Sequence, residues 1–500
     1  KMSLNPTPQQ QQFIDAAISP VMRNILLNAK AGSGKTTTIV MAVKSLPAHE
    51  MVQIGCFNRS IKTELEERFK GMDNVICRTS HSLGRSFLPR GIVKDDNKLE
   101  RHFGALLKLP DWEWLKDVAE REATFKSIKA LTNYMRLELV SNTDGLRHLC
   151  IKHGLVLDEN QRLAAKHLCT MLYNDRAHMD FTDMLFFAAT LPEEQLMIPK
   201  YKYVFIDEAQ DLNAAQWAIY RRVLAKDGKI IAVGDKSQAI YGFTGADVKA
   251  WDRYSESADI LPLSVCWRCS KAVLDYTRCV DTEITPAENA KEGAVYYNQT
   301  LDMVRPGDAV LCRNVKPLIK ACFSLLAEGR KAIIQGTDIG EGLIKFAKSF
   351  KTPDLADLSA AMASKLSDTL DRLQVVFPNM GLDELMETPT YEYLADRIGC
   401  INHMIFNVDE INSLDSLCRF IKKLFGEQTE GVLFSTVHRA KGLEWPRVFI
   451  LQHSLLEQRR KNQQDWQLEQ ARNLQYVAYT RAQESLHFII EPKRAAEKKK

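Results

Sequence analysis

The stretch at positions 29–36, Ala-Lys-Ala-Gly-Ser-Gly-Lys-Thr, has the residue types and spacing of a phosphate-binding loop. An apolar run precedes it and a helical segment follows it, so its backbone N–H groups and the helix N-terminus can form a nest for phosphate oxygens. We expect Lys35 to contact the β- and γ-phosphates of a nucleotide and the Thr36 hydroxyl to bind Mg²⁺. The residues expected to hold the nucleotide are Gly32, Ser33, Gly34, Lys35, Thr36 and Thr37.

A pair of acidic residues, Asp207 and Glu208, follows the apolar run at 204–206. An acid at a strand end beside the phosphate-loop strand is where a second contact to Mg²⁺ belongs, and we assign it to Asp207. Glu208 can orient and deprotonate the water that attacks the γ-phosphate. An acidic loop without a catalytic role is common on buried strands, and the phosphate loop is what favours the catalytic interpretation here.

Both segments need buried strands to place them, and the sequence contains two sets of suitable runs. Each run is short and apolar and ends in polar or glycine-rich residues, as parallel strands do. Alternation with helical segments predicts a doubly wound α/β domain for each set, with the site at the carboxyl ends of the strands. The first set is 25–29, 203–207 and 230–233, and the second is 309–312, 432–435, 447–451 and 486–490.

Two further segments have helical spacing without strand-like runs of any length, and we interpret both as mainly helical insertions. One insertion interrupts each α/β domain. A basic tail, expected to be disordered, ends the chain. The predicted organisation is a first domain at 1–88 and 181–262 with an insertion at 89–180, a second domain at 263–344 and 428–492 with a reduced insertion at 345–427, and a tail at 493–500.

Composition excludes little. The 45% of hydrophobic and 26% of charged residues are ordinary for a globular protein, and the net charge of +4 is too small to indicate a nucleic-acid binder by itself. No window approaches the roughly 18 unbroken apolar residues of a membrane span, so we expect no membrane partner. The eleven cysteines are scattered, as in a protein with reduced thiols. Cys266 and Cys269 lack a second pair at zinc-finger distance, which disfavours a zinc site.

The acidic pair opens Asp-Glu-Ala-Gln-Asp at 207–211, which resembles motif II of superfamily 1 DNA helicases of the UvrD/Rep (PcrA-like) branch. Seven other motifs of that branch are present in the family's order, some before and some after motif II. The resemblance covers residues 4 to about 490. It implies two RecA-like P-loop domains in tandem. Stretches at 56–61 and 74–77 also resemble the F-box DNA helicases. The other motifs are the Q-motif at 8–14, Ia at 55–65, Ib at 79–82, III at 234–243, IV at 267–270, V at 436–445 and VI at 476–482.

The resemblance assigns nucleotide contacts to residues that lie far apart in the chain. It implies that Gln10 reads the adenine edge, that Trp267 stacks on the base and that Glu444 holds the ribose. Gln238 would sense the γ-phosphate of ATP.

The resemblance also implies that two arginines of the second domain, Arg268 and Arg481, reach the γ-phosphate. They would stabilise transition-state charge only when the cleft between the domains closes, which ties hydrolysis to domain movement. A solvent-exposed arginine is the ordinary alternative for Arg481, and the surrounding motif argues against it.

The DNA-side contacts come from the same motifs. Single-strand binding needs stacking platforms as well as charge, and Phe243 is placed like an aromatic residue on which a base stacks. A phenylalanine is more often a core residue and an isolated histidine a satisfied polar group. The DNA-binding candidates are Phe57, Asn58, Thr79, His81, Tyr241, Phe243 and His438.

The sequence departs from the family pattern in two places. Thr244 stands where many relatives have an arginine, and the second insertion is short.

Taken together, the motifs predict an ATP-dependent single-stranded DNA translocase and helicase that couples hydrolysis at the interdomain cleft to unwinding, with a 3′-to-5′ polarity implied by the resemblance alone. Expected partners are single-stranded DNA, single/double-strand junctions and proteins of replication, repair or recombination. We expect a cytoplasmic location, nucleoid-associated or phage-encoded in a bacterial host. Two alternatives stay open: a translocase that strips proteins and unwinds little, and an ATP-gated DNA-binding switch. A nucleotide kinase is disfavoured because there are two α/β cores.

Overall fold

The computed structural model describes residues 5–118, 121–240, 248–378, 380–386, 388–425, 431–457 and 465–490. The chain divides into two compact units, residues 1–264 and 265–500. Across the described residues, no helix combines the length and the apolar character that a membrane span requires.

The first unit is built on one six-stranded sheet in which every neighbouring pair is parallel. Its strands, with a separate short pair β4 and β5, are β1 Ile25–Ala29, β2 Val52–Cys56, β3 Val75–Thr79, β4 Val93–Lys94, β5 His178–Met179, β6 Tyr201–Ile206, β7 Leu224–Gly234 and β8 Asp259–Leu263. The strand order in the sheet is β3-β2-β6-β7-β1-β8.

Helices connect these strands. They are α1 Pro8–Ile18, α2 Lys35–Ser45, α3 Arg59–Arg68, α4 Ser80–Phe87, α5 Lys98–Leu106, α6 Arg121–Glu138, α7 Thr143–His153, α8 Glu159–Asn174, α9 Asp183–Thr190, α10 Ala214–Val223 and α11 Val248–Ser255.

Alternate residues of the central strands pack against opposite faces of this sheet, as the two-residue period of a strand requires. On β1, Ile25 and Leu27 share a hydrophobic cluster with Phe13 of α1. Leu26 belongs to the cluster on the other face, which contains Trp217 of α10. Both faces of the central strand are therefore packed with apolar side chains.

The segment between β4 and β5 consists mainly of α5 to α8, which enclose their own hydrophobic cluster around Leu131 and Leu168. Buried ion pairs link this segment to the start of α9. Lys98 Nζ lies 2.7 Å from Asp183 Oδ2, and Arg136 Nη1 lies 3.0 Å from Asp183 Oδ1. Since all three side chains are fully buried, removal of one partner would leave an uncompensated charge.

The second unit has its own six-stranded sheet, again with parallel neighbours and with the order β11-β16-β15-β12-β14-β13. Its strands, with a separate short pair β9 and β10, are β9 Val265–Cys266, β10 Thr285–Pro286, β11 Ala294–Gln299, β12 Ala309–Cys312, β13 Ala332–Ile334, β14 Val432–Thr436, β15 Trp445–Ile450 and β16 Ala482–Ile489. Its helices are α12 Lys271–Thr277, α13 Val315–Ala327, α14 Thr337–Ser349, α15 Leu355–Val376, α16 Leu382–Met386, α17 Pro389–Asn407, α18 Leu414–Leu424, α19 Val437–Ala440 and α20 Asp465–Tyr479.

One hydrophobic cluster joins the second sheet to the helices that follow α14. Val310 of β12 and Phe434 of β14 belong to it, together with Leu358 of α15 and Ile401 of α17. The helices of segment 345–427 thus bury apolar side chains in the same core as the sheet, whereas the helices inserted in the first unit have a core of their own. The expected start of that segment falls inside α14.

The predicted α/β class with parallel sheets is confirmed. One detail of the sequence analysis is wrong: the strand of the acidic pair, β6, does not lie beside the phosphate-loop strand, β1. Strand β7 pairs with both and therefore separates them. The acidic pair still shares an edge of the sheet with the phosphate loop, because the carboxyl ends of parallel strands meet at the same edge.

Candidate nucleotide and nucleic-acid site

The phosphate loop runs from the end of β1 to the start of α2, as its sequence predicts. Gly32 and Gly34 have φ angles of +67° and +84°, a conformation that a residue with a side chain adopts with strain. Gly34 is the N-cap of α2 and provides no side-chain cap, so the helix N-terminus faces the loop. The hydroxyl of Ser33 is buried without a hydrogen-bond partner among the described residues. The loop thus fits an anion that would accept these donors.

Two residues of the predicted catalytic set, Lys35 and Glu208, are in direct contact. The Lys35 ammonium donates to Glu208 Oε1 at 2.5 Å. Burial would lower the pKa of Lys35, but the carboxylates of Glu208 and Asp207 outweigh it and raise that pKa. Burial raises the pKa of Asp207 to about 6, and the charge of Glu208 adds to the effect. The Asp207 carboxylate is buried at the same edge of the sheet as the phosphate loop, and it is a suitable oxygen donor for Mg²⁺.

Glu208 has a strained backbone that a hydrogen-bond network holds in place. Its φ of +51° is unusual for a residue other than glycine, and such strain is concentrated at functional sites. Its N–H donates to Asp207 Oδ1 at 2.9 Å. Its second carboxylate oxygen, Oε2, accepts from Gln210 Nε2 at 2.5 Å. The carboxylate that could activate water is therefore fixed through both of its oxygens.

Gln210, to which the sequence analysis gave no role, joins the acidic pair to the end of β7. Its Oε1 accepts from the Asp235 N–H at 3.1 Å. The carboxylate of Asp235 in turn accepts from Gln238 Nε2 at 2.8 Å. A side chain at Gly234 would place its Cβ 2.1 Å from Gln210 Oε1, so the glycine makes room for this amide. The chemical signal for Gln210 in the sequence is an amide within an acidic loop, which does not reveal its partner.

Gln10 lies on the other side of the phosphate loop. It forms a capping box with Thr7 at the start of α1, in which its Oε1 accepts from the Thr7 N–H at 2.9 Å. Its Nε2 donates to Thr38 Oγ1 on α2 at 2.9 Å. An amide can make about four hydrogen bonds, so these two contacts still allow one further donation and one further acceptance.

The DNA-side candidates of the first unit follow two neighbouring strands, β2 and β3. Phe57 is 41% exposed. Asn58 and Thr79 cap helices α3 and α4, since their side chains accept from Ile61 N and Ser82 N at 2.9 and 3.3 Å. Tyr241 and Phe243 lie outside the described residues, as does the departure at position 244.

His81 forms a stacked pair with an aromatic residue that the sequence analysis missed. The ring of Phe181 lies 3.9 Å from that of His81, with 16° between the planes, and Phe181 is 57% exposed. Burial lowers the pKa of His81 to about 4, so the ring is neutral at physiological pH. A large exposed aromatic ring beside DNA-side candidates can offer a stacking surface. Nothing in the spacing of Phe181 distinguishes it from a core residue.

In the second unit, residues from motifs IV, V and VI meet at the amino ends of β15 and β16. Arg268 forms an ion pair with Glu444, whose carboxylate also accepts from Gln483 Nε2 at 2.9 Å. The Arg481 backbone carbonyl accepts from the N–H of Trp445 at 3.0 Å. Trp267, the predicted adenine partner, is 54% exposed.

The guanidinium of Arg481 is buried, with 1% of the residue exposed. It donates to the carbonyl oxygens of Val477 and Leu443 at 2.9 and 3.1 Å and to Thr480 Oγ1 at 3.1 Å. These contacts fix the direction of the side chain within the second unit.

His438 lies at the opposite edge of this sheet, because it follows the carboxyl end of β14. Burial lowers its pKa to about 4, with the positive charges of Arg313 and Lys441 adding to the effect. The second unit thus separates its nucleotide-side candidates from its DNA-side candidate by the length of the strands.

Residues 8–259 match the family model of the UvrD/REP helicase N-terminal domain, and residues 353–493 match that of the UvrD-like helicase C-terminal domain. F-box DNA helicase protein 1 of Schizosaccharomyces pombe is 24% identical, over 96% of this chain but 57% of its own length. ATP-dependent DNA helicase PcrA of Staphylococcus aureus is 21% identical, over 93% of this chain and 80% of its own.

Among solved structures, an arterivirus nonstructural protein 10 (helicase) is similar with a TM-score of 0.36 and 12% identity, over 95% of this chain and 61% of that chain, which is too weak to support an argument. The resemblance stated from the motifs is confirmed by the family models, the first of which matches half of the chain. The chain belongs to the UvrD/REP helicase family.

Proposed function

We propose that the protein is an ATP-dependent translocase on single-stranded DNA and a DNA helicase. The observation that carries the proposal is the 2.5 Å contact between Lys35 and Glu208, which joins a phosphate loop to a carboxylate able to activate water. F-box DNA helicase protein 1 and PcrA are both DNA helicases by name, and the name of PcrA includes ATP dependence. A 3′-to-5′ polarity is proposed from the family resemblance alone.

The first unit would bind ATP through the phosphate loop and Gln10. The donor and acceptor capacity that Gln10 retains matches the adenine edge, which offers N7 as an acceptor and N6–H as a donor. Thr36 and Asp207 would hold Mg²⁺, whose charge offsets that of the phosphates when the ion is bound. Trp267 and Glu444 of the second unit are proposed to contact the base and the ribose.

Hydrolysis would begin from a change in the partner of Lys35. Phosphate oxygens compete with the Glu208 carboxylate for the Lys35 ammonium, so binding of the substrate would release one carboxylate oxygen of Glu208 to accept a proton from water. Gln210 would keep the other oxygen in place through its 2.5 Å hydrogen bond. Gln238 is proposed to respond to the γ-phosphate and to pass its presence through Asp235 to Gln210.

Arg268 and Arg481 are proposed to complete this site from the second RecA-like domain. A guanidinium stabilises charge on the γ-phosphoryl group as it leaves, and it can do so only when the domain that carries it approaches. The interdomain cleft would then close with each turnover and drive movement along the strand.

The proposed DNA path in the first unit follows the ends of β2 and β3. Bases would stack on exposed aromatic rings while polar side chains contact the backbone. We propose that Phe181 belongs to this path because it is exposed and stacked on His81. The earlier candidates Phe57, Asn58, Thr79, Tyr241, Phe243 and His438 remain proposals.

Replacement of Phe181 by alanine is expected to weaken binding of single-stranded DNA about 5- to 150-fold, since loss of one stacking surface costs roughly 1–3 kcal/mol. ATP hydrolysis without DNA should remain at the wild-type rate. Fluorescence anisotropy of a labelled oligonucleotide measures the affinity. Phe406→Ala, at an exposed phenylalanine of α17, serves as the matched control. An unchanged affinity for the Phe181 variant would remove this residue from the path.

The function is tested by ATP hydrolysis with and without single-stranded DNA, followed by strand displacement on tailed duplexes. We expect DNA to stimulate hydrolysis and a 3′ tail to support displacement. Stimulated hydrolysis with displacement of bound protein but little unwinding would favour a protein-stripping translocase. ATP-dependent DNA binding without stimulated hydrolysis would favour a switch.

We also propose, from the family resemblance, that the protein acts at single/double-strand junctions and has replication or repair proteins as partners. A cytoplasmic location and the domain boundaries predicted from the sequence are proposals as well.

A further inference from the structure

Helix α1 carries four consecutive glutamines, of which Gln9 and Gln10 have different partners outside the helix. Gln10 contacts Thr38 beside the phosphate loop. Gln9 uses both ends of its amide on one residue, Ser264. Gln9 Nε2 donates to Ser264 Oγ at 3.0 Å, and Gln9 Oε1 accepts from the Ser264 N–H at 2.9 Å. Because a planar amide that makes two such bonds has a fixed orientation, Gln9 restrains the backbone at Ser264 rather than only its side chain.

Ser264 has a special place in the chain. It is the last residue of the first unit, and Val265 begins the second. The preceding residue, Leu263, accepts a hydrogen bond from the N–H of Lys30 at 2.9 Å, and Lys30 belongs to the phosphate loop. The point at which the chain leaves the first unit is therefore bonded to the phosphate loop on one side and to α1 on the other.

Helix α1 is suited to transmit a displacement between these contacts. Phe13, Ile14 and Ala17 are buried in one hydrophobic cluster with strands of the first sheet, so packing holds the middle of the helix. At its other end, the buried ammonium of Lys229 donates to the carbonyl oxygens of Ala17 and Ser19 at 3.2 and 2.8 Å. With that end held, a displacement of the first turn moves Gln9 and Gln10 together.

We propose that Gln9 is a positioning residue that couples occupancy of the nucleotide site to the exit of the chain from the first unit. This inference rests on the proposed function, because adenine binding at Gln10 is what would displace the first turn of α1. The displacement would reach Ser264 through the two hydrogen bonds of Gln9 and there alter the backbone at the end of the first unit. Gln9 touches neither the nucleotide nor the DNA in this role.

The first experiment tests the contact without any activity. Hydrogen exchange followed by mass spectrometry on the peptide that contains Ser264 should show about one additional fast-exchanging amide in Gln9→Ala, since the Ser264 N–H loses its acceptor. Gln9→Glu keeps an acceptor oxygen and should retain the wild-type protection. Gln11→Ala is the matched control, because the side chain of Gln11 is exposed and bonds to Asp15 of the same helix. Unchanged protection in Gln9→Ala would overturn the proposal.

The second experiment tests the coupling. One dye on each unit reports the change in energy transfer that a non-hydrolysable ATP analogue produces. In Gln9→Ala we expect analogue affinity within about threefold of wild type, but a change in transfer reduced by at least about half. A full change in transfer would overturn the coupling, whatever the exchange experiment shows. If the wild-type protein fails to hydrolyse ATP, the proposed function is lost, whereas both Gln9 measurements still decide the inference.

Discussion

Glu208→Gln is expected to bind ATP with Mg²⁺ at near wild-type affinity but to hydrolyse it at least about a hundredfold more slowly, because the attacking water loses its base. The substitution keeps the size of the side chain and the residues of the phosphate loop. It removes the charge, and its single amide oxygen can replace only one of the two carboxylate oxygens that accept from Lys35 and Gln210.

Binding of a fluorescent ATP analogue and single-turnover hydrolysis measure the two effects separately. Glu67→Gln is the matched control, since Glu67 is an exposed acid on α3 whose nearest cationic partner, Lys70, is also exposed. Hydrolysis by the Glu208 variant within about tenfold of the wild-type rate would show that another group activates the water. Loss of nucleotide binding together with hydrolysis would instead assign Glu208 a structural role in holding Lys35.

Apart from β2, the interior strands of the two sheets could be predicted at least in part from local sequence. The expected runs at 25–29 and 309–312 match β1 and β12 at both ends, because β1 is apolar and buried apart from Asn28 and β12 is apolar and buried throughout. Strand β2 was missed although it is fully buried. It contains Gln53, whose amide bonds to a backbone oxygen, and Gly55, which makes room for Tyr220, so it lacks a continuous apolar run.

Edge strands were harder to recognise for a different reason. β3, β8, β11 and β13 lie at the sheet edges, where polar residues are tolerated. β3, β8 and β11 are only partly buried, whereas β13 is buried but only three residues long. Strand β8 even contains Pro262, which cannot donate a ladder hydrogen bond and is acceptable at an edge. The place of β7 between β1 and β6 depends on long-range pairing, which no local pattern encodes.

The candidate site likewise contains residues that local sequence reveals and residues that only tertiary contacts reveal. Lys35, Asp207 and Glu208 could be predicted because their chemistry follows from their place at strand ends. Gln210 and Phe181 could not, because their roles come from tertiary partners: Asp235 for the first and His81 for the second. The adenine contact of Gln10 stays a prediction, and the contacts that hold its amide, with Thr7 and Thr38, were not foreseen.

Arg481→Ala is expected to reduce DNA-stimulated hydrolysis about 10³- to 10⁵-fold, the range that arginine fingers contribute to phosphoryl transfer. Translocation on single-stranded DNA should be lost with it. Nucleotide affinity should stay within about tenfold of wild type, because Lys35, Thr36 and the phosphate loop belong to the first unit and are unchanged.

The buried setting of Arg481 requires a structural control. Its removal leaves the carbonyl oxygens of Val477 and Leu443 without these donors, at a cost of roughly 1–3 kcal/mol in stability. Thermal unfolding therefore accompanies every rate measurement. Arg481→Lys keeps the positive charge but cannot reproduce the geometry of a guanidinium. Arg472→Ala, at an exposed arginine of the same region, removes the same charge from α20 without a buried contact.

The combination of results separates a shared catalytic site from a local structural role. If Arg481 acts on the γ-phosphoryl group, the alanine variant stays folded at the assay temperature, binds nucleotide, and fails in single-turnover hydrolysis, while Arg472→Ala remains active. A folded Arg481→Ala variant with wild-type hydrolysis contradicts the shared site, as does a structure with nucleotide and DNA bound in which Arg481 points to solvent. A switch protein would keep ATP-gated DNA binding in the variant, and its wild type would show no translocation to lose. Since the guanidinium is anchored by groups of motifs V and VI, its proposed contribution would depend on movement of the second unit as a whole, and the hydrolysis rate of this variant tests that coupling more directly than a substitution in the phosphate loop.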